Sequence, residues 1–258
     1  MHGAGSFSLF QELTREESRD LSSGALVVLP LGATEQHGPH LPLGTDFLIV
    51  EHVARSSGML AASSVPVVVA PTLTFGSSDH HLPFGGTVSL ATRSYLDAVS
   101  DATVSLVHSG FRRIFLLNGH GGNHELVQLV ARDVALRHPA NIAAASYWDL
   151  ARSRLLEHDP DLLPLVPGHA GVFETSLMLS IRPDLVRPST PSAEQPRALS
   201  LPRAAYRSEL HGAWQSIAGF TDEPAAASEA LGTRLLDAIV PSVAEAFVEF
   251  ADSPLRSA

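Results

Sequence analysis

Five side chains able to hold a divalent cation stand out by their setting. Glu35, His37 and Asp46 share one Gly- and Pro-rich stretch, Gly32-Ala-Thr-Glu-Gln-His-Gly-Pro-His-Leu-Pro-Leu-Gly-Thr-Asp46. His120 lies in Asn118-Gly-His-Gly-Gly-Asn123, and Glu174 in His169-Ala-Gly-Val-Phe-Glu-Thr-Ser176. Glu35 and His37 are two apart, so in an extended segment they share a face. Asp46 can fold back onto them from the next turn. The chain has no cysteine, which excludes disulfides, thiolate metal sites and cysteine nucleophiles and leaves carboxylate and imidazole as the ligand types. Five ligands with three carboxylates suit two divalent ions better than one, with Asp46 the natural bridge. Two such ions against three carboxylates leave residual positive charge, which acidifies a shared water and polarises a carbonyl oxygen. The chemistry that follows is hydrolysis of an amide or related carbonyl compound.

Other residues fall around this set. His169, on a Gly-flanked loop, reads as a proton shuttle to a leaving nitrogen, and Glu174 beside it belongs to the catalytic set as well as to the ligands. His81, Trp148 and Asn118 are the candidates for the substrate side of the pocket. Asn118, with Asn123, also reads as an orienting residue behind the ligands. Each has a plainer reading. Glu35 and His37 could form a surface turn, Glu174 could be a first-turn acid favoured by the helix dipole, and His169 could be a structural histidine. His80 and His81 read equally as site wall or surface loop, and Trp148 as core or substrate platform. The Asn-Gly-His-Gly-Gly turn could cradle a phosphate at a helix start, but it lacks the lysine of a phosphate-binding loop.

The elements that must position these residues alternate. Apolar runs at Ala25–Leu31, Pro66–Ala70, Ile114–Leu117 and Ile142–Tyr147 read as buried strands. Between them, helical spacing marks residues 47–60, 92–109 and 124–137, the last capped by Asn123, and a polar helix is expected at 8–21. A further helix opens at the His169 motif and runs through Leu179. The last begins near Pro224, keeps an apolar face at Leu231, Leu235, Ile239, Val243 and Phe247, and is expected to bend at Pro241. Residues 71–86 form a long loop carrying Asp79, His80 and His81, a length that tends to mark function. Glu157–Pro167 reads as an irregular cover and Pro183–Pro202, rich in proline, as a surface connection. Alternating strand and helix argue for an α/β fold with a mainly parallel sheet and helices on both sides. Ligands in such folds sit beyond the carboxyl ends of the strands, where the polar clusters fall.

Composition sets the bounds. A chain of 258 residues with 45% hydrophobic residues is expected to form one domain, 1–258, with a full core. A net charge of −10 argues against nucleic acid or an anionic membrane as partner. Apolar runs stop well short of the roughly 20 residues a membrane span needs. Met1–Phe10 lacks the basic start and apolar core of a signal peptide, so a cytoplasmic location is expected. Gly3-Ala4-Gly5 follows no strand, which excludes a dinucleotide fingerprint.

Taken together, the motifs resemble the creatininase family of metal-dependent amidohydrolases. The stretch from Gly32 to Asp46 is similar to its first metal motif, Asn118–Asn123 to its second, and His169–Met178 to its third. Phe84-Gly-Gly-Thr-Val-Ser-Leu90 resembles its Phe-Pro-Gly-Thr segment with Gly85 in place of proline; Ser146–Asp149 and Gly219–Pro224 also have counterparts. The resemblance implies a three-layer α/β/α sandwich, two divalent ions per chain (Zn, Mn or Fe) and a homo-oligomer, often a hexamer. It implies a small or cyclic amide such as creatinine as substrate, with a mycofactocin-precursor-type peptidase as the alternative activity and a non-catalytic metal- or ligand-binding protein as the alternative of another class. Two departures concern the substrate. Creatininases carry a glutamate ligand where this chain has Gly122, a carboxylate that Glu174 would supply instead. They also have a tryptophan before the third motif, where this chain has Pro164-Leu-Val-Pro167.

Overall fold

The computed structural model describes residues 5–159, 161–188, 212–216 and 219–255. Five strands, β1 (Phe7–Leu9), β2 (Leu26–Leu31), β3 (Val67–Val69), β4 (Arg113–Asn118) and β5 (Asn141–Ser146), form one sheet in the order β1-β3-β2-β4-β5. All its pairings are parallel. The helices are α1 (Arg15–Ser22), α2 (Thr45–Ala61), α3 (Thr92–His108), α4 (His124–Arg137), α5 (Tyr147–Leu150), α6 (Arg152–His158), α7 (Val172–Ile181) and α8 (Glu229–Ala251).

β2 is central and buried along its whole length, as its unbroken apolar sequence dictates. Pro30 is tolerated within it for a local reason. Its carbonyl faces the β3 side, accepting from Leu73 N–H, and the β2–β3 ladder has already ended at Val28. The missing proline N–H therefore leaves no acceptor stranded. Alternation then splits the core into two layers. Leu26, Val28, Phe115 and Leu117 pack against α2, α7 and α8. Val27, Leu29, Ile114 and Leu116 pack against α3, α4 and Leu21 of α1. The three-layer α/β/α arrangement expected from the sequence is the one found.

The connections from β2 through α2 and from β4 through α4 leave the sheet in opposite directions, toward β3 and β5. That opens a crevice between the carboxyl ends of β2 and β4, the position at which open α/β sheets bind ligands. The loops carrying Glu35, His37 and His120 start there.

The structure departs from the expected elements in three places. The polar helix expected at 8–21 is instead an edge strand, β1, a 3-10 turn, and then α1; Thr14 and Glu17 form a capping box that sets where α1 starts. Glu157–Pro167, expected to be irregular, contains the end of α6 and a 3-10 turn at Leu163–Leu165, and Leu162 and Leu163 are buried in the core. The last helix starts at Glu229, after a 3-10 turn at Pro224–Ala226, and runs through Pro241 as one element. The surface connection expected at Pro183–Pro202 lies outside the described residues beyond 188.

Candidate metal centre

Asp46 enters the crevice from the first turn of α2 and divides its carboxylate between two corners. Oδ1 lies 3.2 Å from Nε2 of His37, and Oδ2 lies 3.0 Å from Nδ1 of His120. In the first corner His37 also faces Glu174 Oε2 at 3.7 Å. In the second, His120 Nδ1 faces Glu35 Oε1 at 3.4 Å. His37, Asp46 and Glu174 present ligand atoms close enough to share one ion, and Glu35 and His120 do so with His80. A third grouping joins Glu35 and His37 to His169. The five residues singled out by the sequence are thus brought together, all buried.

Both histidines are held in the orientation a ligand needs. His37 Nδ1 lies 3.1 Å from the Glu35 carbonyl and His120 Nε2 lies 3.2 Å from the Ser77 carbonyl. Donation to those carbonyls leaves the other ring nitrogen to face the acids, the arrangement that fixes a ligating imidazole. A cation also fits the unmet polar groups. Neither oxygen of Glu35 nor Oδ2 of Asp46 completes a hydrogen bond, although all are buried, and buried carboxylate oxygens are costly to leave so. These residues fit the binding of divalent cations.

Without cations the cluster settles its charge through protons. Burial pushes Glu35 up to about 7 and Glu174 to about 8, with Asp46 adding to both and the histidines opposing. For His37 and His120 burial acts downward, but the carboxylates outweigh it and hold them near 10 and 9. Asp46 goes the other way: burial opposes ionisation, and His37 and His120 overcome it.

Beside the acids stands a wall of imidazoles. His81 and His169 stack with ring centroids 4.1 Å apart, and His37 lies 4.4 Å from His169. Burial first, then the neighbouring histidines, hold His169 well below the usual range and push His81 down to about 2. Gln36 faces the pair: its side-chain Nε2 donates to His81 Nδ1 at 2.9 Å and lies 3.0 Å from His169 Nε2, a contact that is no hydrogen bond when that ring nitrogen carries its proton. His169 Nε2 also lies 2.9 Å from the Gln36 carbonyl. With that nitrogen protonated, Nδ1 carries the lone pair, and it faces Glu35 Oε1 at 3.5 Å.

The remaining candidates divide. Asn118 spends its amide on the loop, donating to the His120 carbonyl and Ser146 Oγ and accepting from His120 N–H. It positions His120 and does not face the pocket. Trp148 packs edge-on to Tyr147 within the apolar core. Asn123 precedes α4 without a side-chain cap bond; it accepts from Ser77 N–H and donates to the Gly32 carbonyl, tying two site loops together. His40 bonds Thr175 Oγ1 at 2.9 Å.

Several residues escaped the sequence reading. Asp222 accepts from Val172 N–H at the start of α7 and so sets where Glu174 points. A Cβ on Gly171 would meet its carboxylate at 2.0 Å. Ala170, at φ 50, turns its N–H onto Glu174 Oε2, a strained conformation for a residue other than glycine. Gln36 stood between two recognised residues, which was the available signal; His80, read equally as site wall or surface loop, stands at the site beside Glu35 and His120. Trp214, whose ring lies 4.8 Å from His81, had none, because it sits in a segment without periodicity. Gly122 excludes a ligand outright: a Cβ there would approach Ser77 O to 2.4 Å and His120 Nε2 to 2.5 Å.

Comparison with known proteins gives the family. The family model Creatininase, described as creatinine amidohydrolase, matches residues 11–247. The chain is 36% identical over 239 residues to the mycofactocin precursor peptide peptidase of Mycolicibacterium smegmatis, covering 88% of this chain and 87% of that one. It is 32% identical over 193 residues to the creatinine amidohydrolase of Pseudomonas putida, covering 66% and 69%. A mutant creatininase of Zn-Zn type superposes with a TM-score of 0.78 at 27% identity, over 95% of this chain and 98% of that one.

Proposed function

The chain belongs to the creatininase family, whose members are hydrolases acting on C–N bonds, and from that premise we propose a metal-dependent amidohydrolase that cleaves the amide bond of a small or cyclic amide. The observation that carries the reading is the division of the Asp46 carboxylate between His37 and His120. Asp46, His37 and Glu174 would hold one ion; Asp46, His120 and Glu35 would hold the other, with His80 beside them. Such a pair, when bound, acidifies water and polarises the scissile carbonyl.

The chain's own groups supply the rest. His169, neutral and with Nδ1 facing the acids, accepts a proton and returns it to the leaving nitrogen, without which an amine is a poor leaving group. Gln36 keeps that imidazole in register by accepting from its Nε2–H through the backbone carbonyl and donating from its side chain to the stacked neighbour His81. Asp222 and the Ala170 turn keep Glu174 aimed at His37.

A second reading, a peptidase of the mycofactocin-precursor type, is favoured by two observations. The peptidase relative aligns over 88% of this chain, against 66% for the creatinine amidohydrolase. Gly122 leaves no side chain at the position where creatininases carry a glutamate. One experiment separates the readings: protein reconstituted with Zn or Mn is offered creatinine, other lactams, formamides and short peptides, and the released amine is measured. Turnover of none of these by fully metallated protein contradicts both.

A further inference from the structure

Tryptophans on surface turns usually bury the ring among apolar side chains. Trp214 does otherwise. Its ring centroid lies 5.0 Å from His80, 4.8 Å from His81 and 5.8 Å from His169, and it is only half-buried. The same His81 ring has Phe84 at 6.2 Å, and Phe84 is among the exposed large hydrophobic residues. His81 itself is buried, yet its Nε2 has no hydrogen-bond partner and faces Glu35 Oε1 at 3.5 Å. A half-covered indole and an exposed phenyl ring therefore flank a buried imidazole with an unmet polar atom, at the edge of the two-corner acid cluster.

We propose that Trp214 is the specificity-determining residue of this site: its indole, with Phe84 on the same imidazole, receives a planar or aromatic group attached to the scissile amide. Aromatic surfaces placed this way favour a flat partner in offset or edge-to-face contact over a small aliphatic one. The proposal rests on the amidohydrolase reading above and adds the class of substrate to it.

Two measurements on one variant test it. Trp214→Phe leaves Trp148 as the remaining tryptophan. Titration with Co(II), followed by fluorescence with bound cobalt counted by elemental analysis, is expected to quench wild-type emission well beyond that of W214F. Cobalt bound with equal quenching in both proteins overturns the proposal and leaves the metal reading standing; no cobalt bound overturns the metal reading and the proposal with it. Calorimetry on the Zn-loaded protein with benzamide and acetamide then tests the role. Benzamide is expected to bind wild type roughly tenfold tighter than acetamide, and Trp214→Ala to remove most of that difference. Equal binding of the two amides, no binding of benzamide, or a preference unchanged in W214A overturns the proposal.

Discussion

His120 and Asp46 meet at 3.0 Å across the mouth of the sheet, one from the loop after β4 and the other from the first turn of α2. The contact joins the two halves of the ligand set, because the other oxygen of the same carboxylate faces His37. An isolated pair at this depth would gain little over a well-packed apolar one. Its value lies in what else it can hold.

Replacing Asp46 by asparagine is expected to empty both corners. Metal content should fall, and turnover on any substrate found should drop by more than about 100-fold, beyond what the loss of an outer hydrogen-bond partner costs. His120→Ala should behave likewise, with circular dichroism unchanged. Metal analysis and steady-state rates check this; near-wild-type activity in either variant contradicts it.

Binding of metal should release protons. In the metal-free state the acids hold His37 near 10 and His120 near 9, so both are charged at neutral pH and must lose a proton to ligate. Calorimetry in buffers of different ionisation enthalpy should show that release, and affinity should weaken as pH falls. Binding heats independent of buffer would contradict it.

The same two histidines predict how the metal-free protein responds to alkali. Their folded-state values lie above the ordinary 6.5, so the stability they contribute is fully present below that value. It is lost as pH rises through about 9 to 10. Thermal melts of metal-free protein should therefore drop between pH 6.5 and 10, and saturating Zn should remove much of that drop. A flat or rising profile without metal contradicts the assignment.

Gln36→Leu removes the side chain's bond to His81 and the one it accepts from Gly38 N–H at nearly constant volume. Two bonds are lost, at about 0.5–1.5 kcal/mol each, so a modest fall in melting temperature is expected. The larger effect should be on kcat, with metal content preserved, because His169 loses its register. Unchanged kcat would remove Gln36 from the account.

Asp222→Ala takes the carboxylate off Val172 N–H at the start of α7. A lost cap costs about 1 kcal/mol, and Glu174, two residues further on, should drift from His37. Weaker occupancy of one ion with the other retained is the expected signature in a metal titration. A variant indistinguishable from wild type in both stability and titration contradicts it.

Much of this was legible in the chain because buried parallel strands are unbroken apolar runs, and those runs empty directly into the ligand loops. Ala25–Leu31 located β2 and fixed where Glu35 and His37 had to point. Three-residue β1 carried no such signal, since Phe7-Ser8-Leu9 is too short to show a period and stands next to a good helix start. Gln36 carried no signal of its own, since nothing in the sequence shows that the loop bends enough for its side chain to reach two histidines. The two tryptophans illustrate a deeper limit: Trp148 and Trp214 differ in surroundings, one among apolar side chains and one over imidazoles, and those surroundings are assembled by parts of the chain far from either.

The central claim is a pair of cations joined through Asp46, and elemental analysis of protein prepared without chelator and then saturated with Zn or Mn tests it most directly. The account predicts two equivalents per chain in wild type and one in Glu174→Ala, with His120, Glu35 and Asp46 keeping their ion. One equivalent or none in wild type, or two retained in Glu174→Ala, would contradict it.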